Sequence, residues 1–364
     1  MVDTKDSSRS SEKHLGTVGS ARAAAVDWVM RCASKENGFM GAYFTGSTIG
    51  MPENAPMSPS SDIDVMVVSE LADPPLKPGK FIYRDTLIEG SYISIAELSS
   101  VQQVLVSHHL AGPFRVNTII SDPQGHLHRL YAEVSRHFAD QVWVRRRCEN
   151  ILQKIKHSLL GLDLSLPLHD LFTSWLFPTG ITTHVLLLAA LKNPTVRLRY
   201  AAARDVVEEY GLSSLYPELL RHLGCADLEP ERAMQHVRAL ERTFDKAAAV
   251  AKTPFFFSSD ISPVSRPIAI DGSITLIEKG LHREAVFWMG ATFARCHKIL
   301  AADSDLQVQK EHAPGLEAFL ADLGFHSVED FSTRAAEVID FLPELWRAAE
   351  AIMESNPDIT GRST

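Results

Sequence analysis

The spacing of apolar positions changes once along the chain, near residue 127. Before it, one helical pattern is followed by short apolar runs. From Ala21 to about Lys35, the residues Ala25, Trp28, Val29 and Cys32 recur at helical spacing, and Asn37-Gly38 stops the pattern. Runs at Phe39–Thr45, Val65–Val68, Phe81–Ile95 and Phe114–Ser121 predict strands, and the proline-rich stretch Leu71–Lys80 predicts a loop. A helix is expected over Ile95–Leu110, where Leu98, Val101, Val104 and Leu105 keep a 3.6-residue period.

After Leu127 the helical period continues almost unbroken. Helices are predicted over Leu127–Phe138, Val142–Leu160, Asp170–Leu176, Gly180–Leu191, Pro194–Tyr210, Ser214–Leu223, Glu231–Val250, Ile274–Ala302 and Ser332–Met353. The expected class is α+β: a tail over residues 1–20, a sheet-bearing unit over 21–126 whose first helix covers one sheet face, and an all-α unit over 127–364.

Composition narrows this picture modestly. A chain of 364 residues is long enough for two domains and a large core, and its formal charge of −9 argues against a nucleic-acid footprint. Cys32, Cys148, Cys225 and Cys296 show no paired spacing, so a reducing cytoplasm is the expected setting. The first twenty residues are polar and Ser-rich, unlike a secretory signal. The longest apolar run, Val185–Leu191, is too short to cross a bilayer, and no membrane association is expected.

Chemistry concentrates between Gly41 and Val68. The apolar run ending at Thr45 stops at Gly46-Ser47, fourteen residues follow with Pro52, Pro56 and Pro59 among them, and Asp62-Ile63-Asp64 opens the next run. Alternation along a strand points Asp62 and Asp64 the same way, with Cα atoms about 6.6 Å apart. Two converging carboxylates need a cation or a proton, and hard oxygen ligands suit Mg²⁺. Gly46 lets backbone approach an anion, and backbone N–H groups with the Ser47 hydroxyl can donate to phosphate oxygens. Taken alone, the same residues also describe a hairpin with a polar loop and an acidic strand start.

This arrangement resembles the DNA polymerase β-like nucleotidyltransferases, and within them the bacterial aminoglycoside nucleotidyltransferase type. The carrying residues are Gly46 and Ser47 after an apolar strand, then Asp62 and Asp64 flanked by apolar residues; the spacer is slightly longer than usual. The resemblance implies a nucleotidyltransferase mixed sheet, two Mg²⁺ ions held by Asp62 and Asp64, ATP or another NTP as co-substrate, and a third carboxylate on a neighbouring strand. Glu89 is the candidate, either completing the metal cluster or accepting the hydroxyl proton; the alternative is an edge-strand side chain reaching solvent. Asp85 and Asp122 are poorer candidates, the latter lying in Asp-Pro-Gln-Gly turn chemistry.

In the helical half, Asn193 is expected to cap a helix starting at Pro194, on which Arg197, Tyr200 and Arg204 share a face. That face is either a nucleotide clamp, with guanidinium on phosphate and ring on base, or a solvated, salt-bridged surface. Arg145, Arg146 and Arg147 are expected on a solvated face, His282 and Arg283 as packing partners, and His108, His109, His126 and His128 at the surface.

The expected activity is transfer of AMP from ATP to a hydroxyl of a small molecule, with an aminoglycoside-like antibiotic the most concrete cationic acceptor that the resemblance offers. The alternatives are AMP transfer to a protein side chain in a regulatory or toxin system, and a non-catalytic nucleotide-binding module.

Overall fold

The computed structural model describes residues 16–361. Helix α1 (Val18–Arg31) begins where the Thr17 hydroxyl accepts from the Ser20 N–H, so Val18, Gly19 and Ser20, expected in the tail, form its first turn; residues 1–15 lie outside the described residues. The chain continues through β1 (Phe39–Thr45), β2 (Ile63–Ser69), β3 (Gly79–Tyr83), β4 (Thr86–Ser94), α2 (Val101–Val106), β5 (Ile119–Ser121) and α3 (His126–His137).

The five strands lie in the order β3-β4-β2-β1-β5; β2 and β4 are parallel and every other pair is antiparallel. Strand alternation sorts the two faces. Ile63, Val65, Val67 and Ile88 pack beneath Ala21, Ala25, Trp28 and Val29 of α1, whereas Tyr43, Val68 and Ile93 pack against α2 and α3.

Three expectations changed here. The single run Phe81–Ile95 is a hairpin, because Arg84 and Asp85 both adopt positive φ (48° and 59°) and form a two-residue turn between β3 and β4. The helix expected over Ile95–Leu110 is a 3₁₀ turn at Ile95–Leu98 followed by the short α2, and the strand expected from Phe114 contracts to β5 behind a 3₁₀ turn at Gly112–Arg115.

The rest is helical: α4 (Gln141–Leu160), α5 (Leu168–Gly180), α6 (Thr182–Ala189), α7 (Arg199–Glu209), α8 (Leu215–Leu223), α9 (Pro230–Val250), α10 (Gly272–Glu278), α11 (His282–Asp303), α12 (Leu306–Asp322) and α13 (Glu329–Ser355). The fold is therefore α+β, with a mixed sheet in the N-terminal half and helices towards the C-terminus. Leu127, Leu130 and Val134 of α3 join the sheet's core, while Val144, Cys148 and Ile151 of α4 join the large helical core, so packing changes partners near residue 140 instead of residue 126. The stretch Leu168–Ala189 is long and apolar enough to cross a bilayer, yet 78% of its apolar window is buried among the other helices. Arg147, expected at the surface, is fully buried and donates to the carbonyls of Leu105 and Phe138, fastening α4 to the sheet-bearing half.

Candidate functional site

Strand register gathers the charged positions into one row. Thr45 of β1 lies opposite Asp64 of β2, Asp64 opposite Glu89 of β4, and Glu89 opposite Lys80 of β3. Neighbouring strands run about 4.8 Å apart, so this row places Asp64, Glu89 and Lys80 side by side. Asp62 precedes Asp64 by two residues and faces the same way. As a result Asp62, Asp64 and Glu89 offer carboxylate oxygens that all lie within 4.8 Å of one another.

Gly46 closes the row from above. Its φ is +74°, and a Cβ there would sit 1.7 Å from Asp64 Oδ2, so both conformation and space demand glycine. The long spacer after Ser47 is tied down: Arg22 donates to the Thr48 carbonyl (2.6 Å), and the N–H groups of Val18 and Gly19 reach the carbonyls of Ala55 and Glu53.

The row opens into a cleft of about 280 Å³ whose opposite wall is helical. Gly46, Ser47, Asp62, Asp64, Lys77, Lys80 and Glu89 line one side; Arg197, Phe256, Asp260, Trp288 and Arg295 line the other. The walls are joined directly. Asn193 Nδ2 donates to the Gly46 carbonyl (2.8 Å), Arg197 donates to the Ser60 carbonyl and hydroxyl (both 3.3 Å), and Lys80 Nζ meets Asp260 Oδ1 at 3.0 Å.

The charges are strongly coupled. Burial, reinforced by Asp62 and Glu89, holds the Asp64 carboxyl well above the usual carboxylate range. Burial pushes Glu89 the same way, but the ammonium groups of Lys80 and Lys77, each bonded to one of its oxygens, more than reverse this and bring it down to about 2. Lys80 also contacts Asp62 Oδ2 at 3.1 Å; burial disfavours its charge, yet Asp62, Asp260 and Glu89 together raise the ammonium above its ordinary range. Asp260 divides its carboxylate between Lys80 and Arg295, whose Nη1 lies 2.9 Å from Oδ2.

No protein-family model matches the chain, and neither does any curated protein.

The structure brings Gly46, Ser47, Asp62, Asp64, Glu89 and Arg197 to this cleft and leaves the other two proposed nucleotide contacts outside it. The helix expected from Pro194 starts at Arg199, so Pro194–Leu198 is a connecting segment that carries Arg197 to the cleft. Tyr200 is then fully buried in the helical core, where its ring cannot stack on a base. Arg204 pairs with Glu284 (3.2 Å), which also accepts from the Tyr216 hydroxyl (2.6 Å). Asp122 belongs to neither set: its Oδ2 accepts from the backbone N–H of His128 (2.9 Å) in the first turn of α3.

Sequence reasoning missed Lys77, Lys80, Asp260, Trp288, Arg295 and Phe256. Lys80 was within reach of it: counting back from a two-residue turn at Arg84-Asp85 pairs residue 80 with residue 89. Asp260 lies in a 3₁₀ turn (Ser258–Asp260) between helices, and no local spacing marks it.

A larger cavity, about 410 Å³, lies among α8, α9, α12 and α13 and is lined by Arg221, Arg232, Asp322 and Arg334. Asp322 pairs there with Arg232 and His236, and Arg334 donates to the carbonyls of Leu323, Arg221 and His222. Its charges serve to join helices, so the sheet-edged cleft is the stronger functional candidate.

Proposed function

We propose that this chain is a Mg²⁺-dependent nucleotidyltransferase, related to the DNA polymerase β-like enzymes, that moves AMP from ATP to a hydroxyl of a small molecule with release of pyrophosphate and a proton. The observation that carries this reading is the convergence of Asp62, Asp64 and Glu89 on one face beside the Gly46-Ser47 turn. The donor set fits the metal: hard carboxylates meet within a few ångströms, and the missing Cβ of Gly46 lets the Asp64 carboxylate lie directly against the turn.

Asp62 and Asp64 would hold the ion. Bound there, Mg²⁺ would polarise the phosphoryl oxygens and counter the charge that develops as the bond from α-phosphorus to the pyrophosphate oxygen breaks. The Ser47 hydroxyl and the backbone of the Gly46 turn orient the triphosphate, and Arg197 reaches it from the opposite wall as a forked donor.

Cleft charges guide the choice of acceptor. Asp62, Asp64, Glu89 and Asp260 are balanced by Lys77, Lys80, Arg197 and Arg295, so a polycation finds no acidic excess here and neutral hydroxylated compounds deserve equal place in a screen with aminoglycoside-like ones. Nucleotide binding without transfer is the second reading, and the engagement of both Glu89 oxygens by lysines favours it. Pyrophosphate release on a panel of NTPs and acceptors, with and without Mg²⁺, separates the two. Binding of ATP with no release under any acceptor would establish the second. Labelled ATP incubated with lysate covers a protein acceptor, which would appear as a labelled band.

A further inference from the structure

Lys80 is an unusual neighbour for a metal-binding row. Its side chain is only 6% exposed, it sits in strand register with Glu89, and its ammonium touches carboxylates of three different elements: Asp62 on the approach to β2, Glu89 on β4 and Asp260 from the helical wall. The second oxygen of Glu89 is taken by Lys77, and the second oxygen of Asp260 by Arg295. Glu89 thus has no oxygen free of a cation, whereas Asp64 has no ion-pair partner of its own within the row.

We propose that Lys80 stands permanently where a second divalent cation would sit, so that this row takes a single divalent ion, ligated by Asp62 and Asp64, with Glu89 serving as the counter-ion of Lys77 and Lys80. This rests on the reading of the row as a metal site and sharpens it. Mg²⁺ sites commonly use one or two carboxylates and complete the shell with water and phosphate oxygens, which is the set that Asp62 and Asp64 supply. A second ion on Glu89 would face the Lys80 ammonium at close range, and like charges repel strongly where water is scarce. Swinging Lys80 away is opposed on both sides, because it would strip Glu89 Oε2 of its partner and leave the buried Asp260 Oδ1 without the one cation that meets it among the described residues. In this arrangement Lys80 is a positioning residue: it fixes Asp62 and Asp260 relative to one another and supplies positive charge without needing to be loaded.

Mn²⁺ as the probe makes the count measurable. Room-temperature EPR titration of the full chain, with and without a non-hydrolysable ATP analogue, should give one bound Mn²⁺ per chain on the protein's own ligands. Lys80→Met should raise the count to two, with Lys80→Arg remaining at one; the arginine retains the charge and so separates charge from folding damage. Two Mn²⁺ ions on the wild-type protein in the absence of nucleotide would overturn the proposal even if Lys80→Met fails to fold, and so would a Lys80→Met protein that folds and still binds one. The underlying metal reading fails differently: wild type and Asp62→Ala plus Asp64→Ala would then both bind none.

Discussion

The two walls of the cleft are built by different means. On the sheet wall, position follows from backbone: register alone places Asp64, Glu89 and Lys80 in a row, and a single glycine lets the Asp64 carboxylate pack against the turn above it. On the helical wall the groups arrive from scattered places, Arg197 from the segment before α7, Asp260 from a 3₁₀ turn, and Trp288 and Arg295 from α11, about two turns apart. Hydrogen-bonded ladders fix the first set to within the precision of the sheet, which suits chemistry that must recur unchanged. The second set can vary one loop at a time, which suits the recognition of a particular acceptor.

Substitutions on the sheet wall should therefore abolish function, and those on the helical wall should tune it. The largest effect is expected from Asp62→Ala plus Asp64→Ala. The folded protein should persist, while the rise in melting temperature produced by ATP with Mg²⁺ disappears; an unchanged rise would remove both residues from the metal site. Gly46→Ala comes next, because left-handed backbone and overlap with Asp64 act together. A loss of about 3 kcal/mol in chemical denaturation is expected, with ATP binding impaired even in the folded fraction.

Glu89→Gln tests the row through its charge. Removing the counter-ion of two largely buried lysines should cost about 3 kcal/mol, the lower end for a broken buried ion pair, and lower transfer through the displaced Lys80 and Asp62. The sign of the pH effect is fixed by the direction of the shift. Glu89 is held near 2 against an ordinary value of 4.5, so its stabilisation is complete above about 4.5 and fades as pH falls towards 2. Acid titration of stability should be flatter in Glu89→Gln over that window, and identical slopes would show that the carboxylate is not held by the lysines.

The smallest effects belong to the helical wall. Arg197→Ala should weaken nucleotide binding about tenfold, equivalent to about 1.4 kcal/mol, with little change in melting temperature. Tyr200→Phe should leave nucleotide affinity unaltered, since the ring is enclosed in the helical core. An effect of Tyr200→Phe equal to that of Arg197→Ala would erase the distinction between the two positions.

The same contrast explains what could be read from the sequence. Asp62 and Asp64 were legible because strand alternation fixes which way they point, and Gly46 because an apolar run stopped there. Lys80 follows from the pairing only once the turn is known, and Arg84 and Asp85 take positive φ without the glycine or asparagine that usually mark such a turn, so β3 merged into β4. Helix α12 escaped notice because Pro314 lies inside it. The long helix expected over Ile274–Ala302 breaks into α10 and α11 at Gly280, whose φ is +76°. Asp260 had no local signature at all, because its place depends on how the helices fold back over β3.

That return path has a consequence for solubility. β3 is one of the two outer strands of the sheet, and an outer strand offers unpaired N–H and C=O groups to any other chain. The turn that delivers Asp260 lies across its start, with Ser259 packed so tightly on Gly79 that a Cβ there would come within 2.2 Å of the Ser259 hydroxyl. The segment that completes the cleft thus also covers the start of the β3 edge, and a change that loosens Ser258–Asp260 would be felt first as precipitation during refolding.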